Sequence, residues 1–157
     1  MHKTKLIRLL KSLTNDEFKG LERFLKSPYF NPRPKCLELY EVIKAVYPNL
    51  DSPKLEKEQV LQRLFSKGKP SALRELSSAL FEYVLQYLKY DLFAKEVLYQ
   101  ENLFLQTFNK RKLEKEFYKQ FNNIQTQLDS IKEKSIHYYQ QSFLCNYEAI
   151  IFEANIE

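Results

Sequence analysis

The chain has 157 residues, 44% of them apolar, and a formal net charge of +5. That is apolar matter enough for one domain or two small helical subdomains, with no need of disulfides or a metal to hold them folded. Only two glycines occur, Gly20 and Gly68, where average usage of about 7% gives roughly eleven, which argues against a many-stranded sheet or a Gly-rich phosphate loop.

Leu, Glu, Lys, Gln and Arg fill the sequence instead. They are good helix formers, so the expected fold class is all-α. The charge is uneven: residues 1–35 carry nine basic against three acidic side chains, and residues 96–157 carry seven against nine. A basic front end can attract phosphates or an acidic partner, but it is also the ordinary solvated face of helices.

The first predicted helix runs from about Lys3 to Ser12, with Leu6, Ile7, Leu9, Leu10 and Leu13 at helical spacing. Thr14 followed by Glu17 reads as a capping box opening a second helix, which buries Phe18, Leu21, Phe24 and Leu25. Pro28, Pro32 and Pro34 then enforce an irregular segment. Tyr29 and Phe30 inside it are expected to fold back as a plug over the core; the sharper alternative is a protein-interaction surface.

A third helix is predicted near Lys35 to Tyr47, ended by Pro48, then a short helix with Val60, Leu61, Leu64 and Phe65 inward. Lys67-Gly68-Lys69-Pro70 reads as a tight turn, with Ser71 capping the next helix. Apolar spacing continues from Leu73 to Phe108, too long for one helix of a compact domain, so a break is expected around Lys89 to Lys95. Asn109 to Lys112 is a polar connector. Helices follow near Leu113–Ile131 and Ser135–Ala154, the last apolar nearly all round and so expected to have neighbours on most faces.

The organisation read from this is an N-terminal helical, helix-turn-helix-like bundle over 1–91. Antiparallel α-hairpins of TPR-like character follow over 92–157. The last helix runs to Glu157 without a cap or polar tail, as in a chain cut from a longer helical array or docked on a partner.

Catalytic chemistry has few candidates. His2 and His137 are the only histidines, and Glu133 four residues before His137 makes two ligands at most, too few to close a zinc site. Phosphate-loop, dinucleotide and nucleophile-elbow patterns are missing. Cys36 and Cys145 read as buried thiols of a reducing compartment. These features point away from an enzyme and toward no cofactor and no small-molecule ligand. No secretory leader is evident, and no apolar run nears the roughly 18 residues that span a bilayer. A soluble, cytoplasmic protein with no membrane partner is expected.

The best constellation is Leu55–Leu88, laid out as a helix-turn-helix. Arg63, Lys67, Lys69 and Arg74 place four cations around its turn with no acid between them. Lys67 and Lys69 suit phosphates, while Ser71, Arg74 and Ser78 suit base edges. Glu75 and Glu82 on the same helix weigh against DNA.

The string Leu13-Thr14-Asn15-Asp16-Glu17-Phe18, then Phe24-Leu25-Lys26-Ser27-Pro28-Tyr29-Phe30-Asn31, resembles the opening of a family of uncharacterised bacterial all-helical proteins. Their shared signature is L-T-x-x-E-F … F-L-x-S-P-Y-F-N. The likeness runs on through Tyr47-Pro48-Asn49-Leu50 and the Leu61–Phe65 and Leu73–Leu88 helices. It implies helical hairpins beyond this point and carries no activity or site residues. Val60–Leu85 also looks faintly like the winged-helix part of regulators joined to helical repeats, but it lacks a strand pair for the wing. The expected function is a non-enzymatic protein-protein interaction module, with a DNA-binding transcriptional regulator as the alternative.

Overall fold

A side-chain hydroxyl starts each of the first two helices in the computed structural model, which describes residues 1, 4–65 and 69–156. Thr4 accepts the Ile7 amide at 3.4 Å and opens α1 (Lys5–Lys11). At α2 (Asn15–Lys26) the Thr14 hydroxyl accepts from the Glu17 amide at 3.2 Å, and the Thr14 amide donates to the Glu17 carboxylate at 2.8 Å. Two donors that a helix start leaves unsatisfied are met by side chains three residues apart, as the capping box requires.

The chain divides into two compact units, Met1–Asp91 and Leu92–Glu157. All its regular structure among the described residues is helical. None of these helices is long and apolar enough to cross a membrane.

In unit 1, α2 packs Phe18, Leu21, Phe24 and Leu25 into a core shared with Leu6, Ile7 and Leu10 of α1. The third helix, α3 (Pro34–Lys44), adds Cys36, Leu39, Tyr40 and Ile43. It stops before Tyr47 because Pro48 disfavours helical backbone at the residue preceding it. Tyr47 instead stacks on Phe18, centroids 4.0 Å apart, and donates its hydroxyl to Asn15 at 2.7 Å. Tyr40 is fully buried and donates to the Phe18 carbonyl at 2.8 Å.

The proline segment corrects one expectation. Phe30 does plug the core, stacked on Phe24 at 4.5 Å, but Tyr29 is 87% exposed and touches only its edge. Of the two aromatics read as a surface, Tyr29 alone is one. The second buried group here is Asn31, which donates to the Leu25 carbonyl at 2.9 Å and accepts from the Arg33 amide at 3.0 Å. Its amide joins the end of α2 to the start of α3 where proline supplies no donor.

A 3-10 turn at Pro53–Leu55 precedes α4 (Lys57–Leu64), and α5 runs Pro70–Lys95. Ser71 does not cap α5. Proline takes the first helical position, where a missing N–H costs nothing, and Ser71 falls inside the first turn. The break expected around Lys89 to Lys95 lies at Glu96, between α5 and α6 (Val97–Lys110). Without Gly or Pro, it is closed by the Gln100 side-chain amide, which donates to the Phe93 carbonyl at 2.8 Å.

Unit 2 continues with α7 (Glu114–Ser130) and α8 (Ile136–Ile156), and each of its three helices packs against the other two. Phe117 and Phe152 stack at 3.9 Å in a core with Leu105, Ile124, Leu128 and Cys145. α6 ends at a turn closed by the Leu113 amide on the Phe108 carbonyl and the Lys112 amide on Asn109, each at 3.0 Å, with Lys112 at φ 54°.

α8 departs from expectation. It packs on one side only, and that side buries the polar Gln141 and Glu148 beside Cys145 and Phe152. Asn102 of α6 explains Gln141: it donates to the Gln141 side chain at 2.9 Å and to its carbonyl at 3.2 Å. The opposite side of α8 is apolar and open to solvent.

Candidate docking cleft

Three helices of unit 1 leave a gap. α1, α4 and the first half of α5 bound a cleft of about 570 Å³. Its floor is apolar, made by Leu6, Leu61, Leu73 and Phe81. Helical spacing puts Leu73 and Phe81 on one side of α5 with Ser77 between them, and Ser77 spends its hydroxyl on the Leu73 carbonyl at 2.7 Å. The rim is charged and mixed: Lys5, Lys57 and Arg74 against Glu58 and Glu82, with Ser78 between the last two elements of charge on α5. All five charged groups are exposed, and none forms an ion pair among the described residues.

The residues singled out from sequence separate into three groups. Arg74 and Ser78 stand on the cleft. Arg63, Lys69 and Ser71 are exposed but do not line it. Lys67 lies outside the described residues. The cations that join Arg74 are Lys5 and Lys57, which come from other helices and were not legible as a set. Glu58 and Glu82 accompany them, so the surface is not uniformly positive.

His137 meets no ligand set. Its Nε2 lies 3.4 Å from the carboxylate of Glu96, at the start of α6, rather than pairing with Glu133. No three His, Cys, Asp or Glu side chains stand together among the described residues. Cys36 and Cys145 are both free and buried, and burial pushes the Cys145 thiol up to about 11.

No family model, no curated protein and no solved structure matches the chain.

Proposed function

We propose that the protein is a non-enzymatic helical interaction module whose first unit docks an amphipathic helix of another protein in the α1–α4–α5 cleft. The observation that carries this reading is the cleft's composition: a strip of Leu and Phe flanked by charges of both signs. A helix with apolar residues at i, i+3, i+4 and i+7 fills such a floor and pairs its polar flanks with the rim. Unit 2 serves in this reading as a helical-hairpin element of TPR-like character, and the chain as a relative of the bacterial helical family its opening resembles.

The test is selection of helical peptides from a random display library on the full chain. Enriched peptides should share the apolar helical spacing, and Phe81→Asp should abolish their binding. Enrichment that ignores Phe81, or none at all, defeats the reading.

A second reading, a DNA-binding regulator, is favoured by Ser71, Arg74 and Ser78 all being exposed on α5, with Lys69 exposed just before it. Labelled duplex DNA in fluorescence anisotropy decides it. A binder using several phosphates loses affinity steeply as salt rises and weakens on charge reversal at Lys69 and Arg74. Glu75 and Glu82, exposed on the same helix, oppose it.

A further inference from the structure

The open side of α8 reads the same in both directions. Ile136, Tyr139, Phe143, Tyr147 and Ile150 follow one another at steps of three, four, four and three residues. At about 100° per residue all five fall within roughly 80° of the helix circumference, a single stripe. Their exposures are 80%, 60%, 66%, 47% and 67%, so the stripe is apolar surface left open among the described residues. The buried polar residues Gln141 and Glu148 occupy the other side, together with Cys145 and Phe152.

We propose that this stripe binds a second copy of the chain, α8 against α8, antiparallel, about a two-fold axis at Phe143. That axis sets Ile136 against Ile150 of the other copy, Tyr139 against Tyr147, and Phe143 against itself. A two-fold interface makes every contact twice from one surface patch, and only a patch symmetric about its centre offers like against like throughout. A stripe shaped for an unrelated partner has no reason to be a palindrome in both residue type and spacing.

Area and charge agree with that occupant. With roughly 150–250 Å² on each aromatic side chain and less on each isoleucine, the five exposures amount to on the order of 600 Å² per copy, the lower bound for one side of a specific interface. Between Ile136 and Ile150 there is no Lys or Arg, and the one acid, Glu148, is buried. Two copies therefore meet without like charges facing each other. A contact of this size predicts self-association in the micromolar range rather than a permanent dimer.

Sedimentation velocity on the full chain, from low to high micromolar, tests the proposal. The wild type shifts from monomer to dimer as concentration rises. Phe143→Glu places two carboxylates at the axis and weakens association about a hundredfold or more, with helical circular dichroism unchanged because Phe143 is exposed. The double variant Tyr139→Lys with Tyr147→Glu sets opposite charges across the axis and retains the dimer. Tyr139→Lys with Tyr147→Lys sets like charges and loses it. A parallel pairing would lose both, since position 139 would then face itself. The idea is overturned by a wild type that stays monomeric throughout, by a dimer indifferent to Phe143→Glu, or by the two double variants behaving alike. Phe81→Asp in the cleft should leave the dimer intact, so this outcome and that of the docking cleft are read independently.

Discussion

The aromatic ring of Tyr87 in α5 lies directly over Gly20 in the middle of α2. A Cβ at residue 20 would stand 2.9 Å from Tyr87 Cζ and closer still to its hydroxyl. Gly inside a helix costs about 1 kcal/mol relative to Ala, so on propensity alone Gly20→Ala should stabilise. The ring reverses the sign: Tyr87 is buried and cannot swing away freely. Gly20→Ala is expected to cost about 1–2 kcal/mol net, with part of that recovered by Tyr87→Phe in the same chain. Urea denaturation of the four proteins measures it, and a Gly20→Ala more stable than wild type refutes it.

Glu22 sets an acid limit on unit 1. It accepts from Lys26 of its own helix at 2.6 Å and from Lys44 of α3 at 2.8 Å. The Lys26 bond, then the Lys44 bond, hold its carboxyl below the ordinary value of 4.5. A carboxylate depressed in the folded state contributes stability that is fully present above its unfolded pKa and lost as pH falls through the folded one. Stability should therefore fall as the pH drops below about 4.5. In Glu22→Gln that part of the slope should be shallower. Urea midpoints across this range would show equal slopes if the pairing contributes nothing.

Asn102 and Gln141 are coupled. Both are buried amides, and losing Asn102 removes the Gln141 side chain's bond, while losing the Gln141 side chain leaves Asn102 only the Gln141 carbonyl. Asn102→Leu should cost about 1–3 kcal/mol, and adding Gln141→Leu should restore much of it. Additive losses in the double-mutant cycle would show that the bond does not hold α6 to α8.

Lys112 occupies the left-handed position that usually belongs to glycine at a helix end. Lys112→Gly relieves the Cβ crowding and should gain about 0.5–1 kcal/mol. A thermal midpoint that rises by a few degrees meets the expectation, and one that falls does not.

The two thiols should be slow to react. Burial raises both, Cys145 against a weaker opposing hydrogen bond from Gln125 at 3.7 Å, and Cys36 against the nearby charge of Arg33. Because the thiolate is the nucleophile, a disulfide reagent at neutral pH should label neither thiol in the folded chain and both in urea. Rapid labelling of one in the native protein would mark a local opening there.

The start of α2 was legible because it depends on neighbours in the chain. Thr14 and Glu17 satisfy each other's amides across three residues, whatever lies beyond. Ends and breaks set by a side chain were harder: Gln100 closes α5 without the Gly or Pro that usually marks such a place. The cleft was hidden for a different reason. Leu6, Leu61, Leu73 and Phe81 have the spacing of any core residue, and only the placement of α1 and α4 leaves them facing a gap. Gly20 was silent because its reason is a ring contributed by α5. On α8 the apolar residues on both sides gave no clue to which side packs inward, since Asn102, the partner of the buried Gln141, lies on another helix.

The two hydrophobic cores share no side chain among the described residues, one drawing on positions up to Leu88 and the other starting at Leu98. Each is assembled from helices that follow one another in sequence. The first can therefore complete itself on the ribosome while the second is still being synthesised. Amide exchange should accordingly resolve two foldons with separate opening free energies. A lesion such as Gly20→Ala would then accelerate exchange in the first foldon and spare the second.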